Sequence, residues 1–117
     1  MQFNKEIRME KMNVKPATGK LGVLCVGLGA VTSTFMTGVL MARKGLAKPV
    51  GSMTQYDKMR VGRGENKKYL HYGEIVPLAN LNDIVFGAWD VYPANAYESA
   101  VNAEVLKEKD INPVKDE

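Results

Sequence analysis

The stretch from Leu21 to Ala42 carries no charge over 22 residues and is bounded by Lys20 on one side and Arg43-Lys44 on the other. A run of that length can span a bilayer as a helix, so membrane insertion is the first possibility to weigh. Gly22, Gly27, Gly29 and Gly38 interrupt it, and Thr32, Ser33, Thr34 and Thr37 bring hydroxyl groups into the supposed span. Basic residues at both ends give no orientation bias. No small-residue cleavage site stands out, and 20 residues before the run make a long leader for a signal peptide. The stretch reads instead as two shorter elements of a fold with no membrane partner.

The glycines mark where it divides. Leu21-Gly-Val-Leu-Cys-Val26 is nearly continuously apolar and partly β-branched, the pattern of a parallel strand buried on both faces. Gly27-Leu28-Gly29 then forms a turn. From about Ser33, Phe35, Met36, Val39 and Leu40 recur at helical spacing up to Lys44, where Gly45 can cap the helix in a left-handed conformation. Strand, glycine turn and helix in that order are the context of a dinucleotide-binding turn: Gly27 permits the bend, Gly29 admits a diphosphate close to backbone, and the helix N-terminus faces its charge. Two departures keep a tight turn without a ligand as the alternative. The third glycine of the usual GxGxxG pattern is Thr32, and no Asp or Glu lies about 20 residues downstream to meet a ribose.

A candidate for that acid comes much later. Ile84-Val-Phe-Gly-Ala-Trp-Asp90 is a second apolar run ending in a carboxylate, as a parallel strand would present Asp90 at the carboxyl edge of a sheet. The alternative is that Asp90 caps the entry to the next helix. That helix has a capping-box start, Asn95 with Glu98, and an apolar stripe of Tyr97, Val101 and Val105 before Lys107 and Lys109.

Between the two units lies an irregular insertion from Pro49 to Leu81, broken by Gly51, Gly62, Gly64 and Gly73, with Lys67–Tyr72 as one possible short strand. Charge is segmented along the chain. Residues 41–70 hold eight basic and two acidic groups, and residues 71–117 hold three basic and nine acidic. The two segments can complement each other within the fold. Arg60, Arg63, Lys67 and Lys68 are interleaved with glycines and match no recognised nucleic-acid module, so no nucleic-acid partner is expected. The single cysteine, Cys25, permits neither an internal disulfide nor a Cys-based zinc site, and points to the cytoplasm. His71 stands alone without a second ligand at metal spacing, no triad is recognisable, and the methionines are scattered.

Gly27-Leu-Gly29 with Ser33-Thr34 in the helix start, Gly51-Ser-Met-Thr-Gln55, and Asp83-Ile-Val-Phe-Gly-Ala-Trp-Asp90 together resemble the N-terminal part of myo-inositol-1-phosphate synthase, also called inositol-3-phosphate synthase. The resemblance covers about residues 20 to 113. The Gly-Ser-Met-Thr-Gln and Trp-Asp segments are far more distinctive than the glycine turn. Many relatives have Gly-Asn-Asn-Gly where this chain has Ala30-Val31-Thr32-Ser33, a departure in individual loop contacts.

The resemblance implies an α/β fold: a partial Rossmann-like NAD-binding domain, mostly parallel, with an irregular insertion between its βα units. Residues 20–117 would form this portion behind an extension of residues 1–19. It further implies NAD as cofactor, with Gly27, Leu28, Gly29, Ala30, Val31, Thr32 and Asp90 as the binding set, no metal, and no catalytic residue in this chain. The complete enzyme would convert D-glucose 6-phosphate to 1D-myo-inositol 3-phosphate by internal oxidation, aldol cyclisation and reduction, as a cytoplasmic homotetramer. The lysines that serve that chemistry in the family would fall beyond Glu117, so the chain reads as an N-terminal fragment, inactive alone. The rival readings are a fragment of another NAD(P)-linked Rossmann oxidoreductase and a non-enzymatic binding module; both would lack the Gly-Ser-Met-Thr-Gln segment.

Overall fold

A computed structural model describes residues 15–117, so most of the expected 1–19 extension lies outside the described residues. Strand β1 (Leu21–Val26) leads through the glycine turn into helix α1 (Ala30–Arg43). The insertion then supplies the one-turn helix α2 (Met53–Tyr56), strands β2 (Lys58–Val61) and β3 (Lys68–His71), and the one-turn helix α3 (Tyr72–Ile75). Strand β4 (Ile84–Trp89), helix α4 (Ala96–Ala103) and the short α5 (Glu108–Ile111) complete the chain.

β1 and β4 pair in parallel, from Leu21 opposite Ile84 to Val26 opposite Trp89. Because side chains alternate along a strand, this register puts Val23 and Cys25 beside Phe86 and Ala88 on one face, and Leu24 and Val26 beside Gly87 and Trp89 on the other. Helix α1 covers the first face, where Phe35 meets Phe86 edge to face with centroids 5.5 Å apart. Met36 and Val39 from α1 and Ala100 from α4 are buried there, joined by Ile111 and Val114 from the C-terminal turns.

The second face is open. Leu24 is 65% exposed and Val26 80% exposed, with Val85 and Trp89 beside them also exposed. The expectation of strands buried on both faces is therefore corrected within this chain. Its apolar pattern is that of a two-sided strand, yet the described residues supply layers for one side only. Cys25 is correspondingly half-buried rather than enclosed.

Several boundaries also shift. Helix α1 opens at Ala30, three residues ahead of the Ser33 from which the helical spacing is read. Its end is as expected: Gly45 takes φ +67° and the Leu46 N–H donates to the Met41 carbonyl at 3.0 Å. Helix α4 begins with the Asn95–Glu98 capping box but stops at Ala103, where Glu104 turns left-handed. Val105 thus leaves the apolar stripe and is exposed, and Lys107 precedes the separate turn α5. The short strand foreseen at Lys67–Tyr72 is β3, but it pairs antiparallel with β2 in a hairpin of its own and adds nothing to the parallel sheet. Charge complementarity between the basic middle and the acidic tail is realised at Lys44 with Glu117, 3.0 Å apart. Among the described residues, no salt bridge involves the hairpin cations from Lys58 to Lys68.

Arg43 fastens the insertion back onto the sheet. From the last turn of α1 its Nε donates to the Leu81 carbonyl at 2.6 Å, its second guanidinium nitrogen reaches the Ile84 carbonyl, and its cation lies 5.7 Å from the Phe86 ring centre. This rigid fork fixes where β4 starts after about 40 residues of irregular chain. Arg43→Met should keep the aliphatic packing but orphan two carbonyls, lowering stability by about 1–3 kcal/mol in urea unfolding of the full-length protein. The open sheet face carries a second expectation: residues 1–117 expressed alone self-associate, as light scattering would show, and a cooperatively unfolding monomer would contradict it.

Candidate dinucleotide site at the glycine turn

The end of β1 and the end of β4 lie side by side, and the turn between β1 and α1 grows from that junction. Gly27 has φ +96°, a conformation that side-chain-bearing residues rarely adopt, and its N–H donates to the Trp89 carbonyl at 2.8 Å. The Leu28 N–H donates to Asp90 Oδ2 at 2.7 Å. The Gly29 carbonyl accepts from both the N–H (3.0 Å) and the hydroxyl (2.8 Å) of Ser33, which is almost fully buried. Thr37 repeats the pattern one turn on, its hydroxyl donating to the Ser33 carbonyl at 2.8 Å.

The contrast between the two glycines is informative. Gly29 has φ −95° and ψ −160°, ordinary extended backbone, so no strained φ requires glycine there. A Cβ built on Gly29 would meet nothing within 4 Å. Glycine at this position leaves room on the outer side of the turn.

Facing that room are the first amides of α1. Among the described residues, the N–H groups of Gly29, Ala30, Val31 and Thr32 have no hydrogen-bond acceptor, no side chain caps the helix, and no acid lies in its first turn. Unfilled donors at the positive end of a 14-residue helix form a preorganised anion cradle. With the space left by Gly29, this geometry fits a dinucleotide's diphosphate.

Asp90 stands beside the cradle, one residue past the end of β4. It is exposed, and its other oxygen, Oδ1, accepts from the Tyr92 N–H at 3.2 Å. These amides, Leu28 foremost and Tyr92 next, hold its carboxyl below the ordinary carboxylate value. A depressed folded-state pKa contributes stability that is fully present above about pH 4 and is lost as pH falls through the lowered value. Two hydrogen bonds leave further lone pairs on the carboxylate for hydroxyl donors. Asp90 does not cap α4, whose N-cap is Asn95, so the helix-entry alternative is set aside.

The structure thus brings Gly27 through Thr32 and Asp90 into one site. Sequence reasoning missed the tie from Ser33 to Gly29; the signal was a hydroxyl four residues past the second glycine on a helix start. Thr32 stands at the third glycine position, half-buried in the first turn of α1. A cavity of about 550 Å³ runs between α1, β4 and the C-terminal helices, lined by residues such as Met36, Thr37, Phe86 and Ala100; it borders the turn at Leu28 and Ser33 and includes none of Gly27, Gly29, Ala30 or Asp90. His71 borders a smaller recess of about 250 Å³ in the insertion with Thr54, Gln55 and Asn80. Among the described residues, no cluster of three His, Cys, Asp or Glu could hold a metal, and no helix is long and apolar enough to cross a membrane.

A parallel βα pair whose first turn is glycine-rich and whose second strand ends in a carboxylate defines a dinucleotide-binding module of the Rossmann class. Comparison with known proteins specifies it further. The NAD-binding family model described as myo-inositol-1-phosphate synthase matches residues 21–117, and the chain belongs to that family. It is 59% identical over 108 residues to inositol-3-phosphate synthase 1 of Bacteroides thetaiotaomicron, covering 92% of this chain and 24% of that protein. Inositol-3-phosphate synthase 1 of rice, Oryza sativa subsp. japonica, is 37% identical over 99 residues, covering 74% of this chain and 19% of its own. The crystal structure of inositol-3-phosphate synthase from Caenorhabditis elegans superposes with a TM-score of 0.71 at 25% identity, over 86% of this chain and 22% of that one. The chain spans about a quarter or less of the length of these relatives and corresponds to their N-terminal NAD-binding part.

The two glycines should separate in mutagenesis. Gly27→Ala forces a side chain onto φ +96° and should cost about 1–3 kcal/mol of stability. Gly29→Val suits its extended backbone and its Cβ would meet no atom of the chain within 4 Å, so the melting temperature should hold while NAD binding is lost to a branched side chain in the diphosphate space. Calorimetric melting and NAD titration of the two variants check both.

Proposed function

We propose that this chain supplies the cofactor-holding part of an inositol-3-phosphate synthase, which converts D-glucose 6-phosphate to 1D-myo-inositol 3-phosphate without net redox change. The observation that carries the reading is the set of unpaired amides from Gly29 to Thr32, opening onto the space that Gly29 leaves, beside Asp90. Family membership favours inositol phosphate synthesis over other NAD(P)-linked chemistries.

NAD, when bound, supplies reversible hydride acceptance and return, the hard chemistry of such an isomerisation. The chain's own part is binding and orientation. The amides of Gly29, Ala30, Val31 and Thr32 would donate to the diphosphate, with the α1 dipole adding favourable potential. Gly27 and Leu28 shape the turn that aims those amides. The free lone pairs of Asp90 would accept from the adenosine ribose hydroxyls, and its charge would repel a 2′-phosphate, so NAD should be preferred over NADP. Division at Lys20, a homotetrameric assembly and a cytoplasmic setting belong to the same reading.

The test uses the full-length protein. Purified enzyme should form inositol phosphate from glucose 6-phosphate with NAD present; absence of product from folded, NAD-bound protein would overturn the reaction assignment. Asp90→Ala should raise the NAD dissociation constant about tenfold or more through loss of charge-assisted hydrogen bonds. Because its carboxyl is held low, the Asp90 contribution should stay constant from about pH 8 to pH 5 and fall away only in stronger acid. A titration of NAD affinity against pH checks this.

A further inference from the structure

We infer that Asp90 is a positioning residue of the glycine turn: by accepting the Leu28 N–H it fastens the turn to the end of β4 and fixes the amide cradle before any cofactor arrives. The role rests on the cofactor reading above for its purpose, but not for its geometry.

The turn is held at three points, and only one of them is ordinary sheet bonding. Gly27 continues the β1–β4 ladder through the Trp89 carbonyl. Beyond it β4 offers no further pairing to Leu28, because the strand ends at Trp89 and the chain turns away. The 2.7 Å bond from Leu28 to the Asp90 side chain extends the ladder by one rung, across 62 residues of sequence. On the far side, Ser33 ties the Gly29 carbonyl. With both ends of the Leu28–Gly29 segment anchored, the amides of the first turn of α1 are aimed together.

Among the described residues, no further hydrogen bond ties this segment, and only the half-buried Leu28 side chain packs from it. The glycines flanking Leu28 have no side chains, and the positions where their Cβ atoms would sit are surrounded by open space. Glycines also carry the greatest backbone freedom to lose on ordering. Asp90 is itself aligned by the Tyr92 N–H on its other oxygen, so its carboxylate is oriented through its own loop.

The placement is otherwise electrostatically odd. A carboxylate beside an anion cradle repels the phosphate charge that the cradle would attract. A residue serving only the ribose would leave that opposition uncompensated, whereas a fastener offsets it by preorganising four donors at once.

The test reads the turn without a ligand. In the full-length protein, backbone amide exchange at Leu28 is measured for wild type, Asp90→Ala and Asp90→Asn, with Val23 and Phe86 in the strand pair as internal references. Asp90→Ala should speed exchange at Leu28 about tenfold or more while the reference amides keep their rates. Asp90→Asn keeps a side-chain carbonyl acceptor and should restore most of the protection. Equal Leu28 exchange in wild type and Asp90→Ala, with the references unchanged, overturns the inference. Should Asp90→Ala fail to fold, Asp90→Ser decides, its hydroxyl sitting one bond too short to accept from Leu28 in place: Leu28 exchange about tenfold faster with the reference amides unchanged supports the inference, and wild-type protection overturns it. Leu28 protected by Asp90 in a wild-type protein that binds no NAD would sink the cofactor reading instead.

Discussion

The parallel pairing of β1 with β4 is the contact on which the rest of the described structure depends. Its register sets the Val26–Trp89 pair at the carboxyl edge, and one residue further on the Gly27 N–H still reaches the Trp89 carbonyl. Only with that alignment does Asp90 come opposite Leu28. A one-residue slip would turn every side chain of one strand to the other face, removing Phe86 from Phe35 and carrying Asp90 off the turn. The same pairing thus serves the core and the site.

The insertion shows how such a site tolerates a long detour. In the usual dinucleotide-binding unit a short crossover leads from the first helix to the strand bearing the acid. Here the chain passes through α2, the β2–β3 hairpin and α3 before β4. Lengthening a loop costs little in closure entropy, provided the returning strand is placed accurately. Arg43 on the Leu81 and Ile84 carbonyls and Lys20 near Asn82 and Asp83 supply that placement. The hairpin keeps its own antiparallel pairing and its own charge.

The two faces of the small sheet tell different stories. One is packed by α1, with α4 and the C-terminal turns behind it; the other presents Leu24, Val26, Val85 and Trp89 to solvent. Strands this apolar belong between two layers. The longer relatives have three quarters or more of their length outside the matched part, ample chain to cover such a face.

Local pattern was enough for a good deal. The apolar run of Leu21–Val26, the glycines at 27 and 29, the capping box at Asn95 and the apolar run into Asp90 each depend on neighbours in sequence, and each element formed where those signals stand. The left-handed Gly45 at the end of α1 was legible for the same reason. Boundaries were less so: α4 ends at Ala103 because Glu104 turns left-handed, which no run of apolar spacing announces. Whether a strand is covered on one face or two was not legible either, since burial depends on layers that sequence neighbours do not provide. The Asp90–Leu28 bond lies wholly in this second category. The sequence alone determined that a carboxylate ends one strand and a glycine turn ends another; that they meet at 2.7 Å was decided by strand register and by Arg43's grip on the returning chain. A contact across 62 residues exists only when long-range pairing has already brought its ends together.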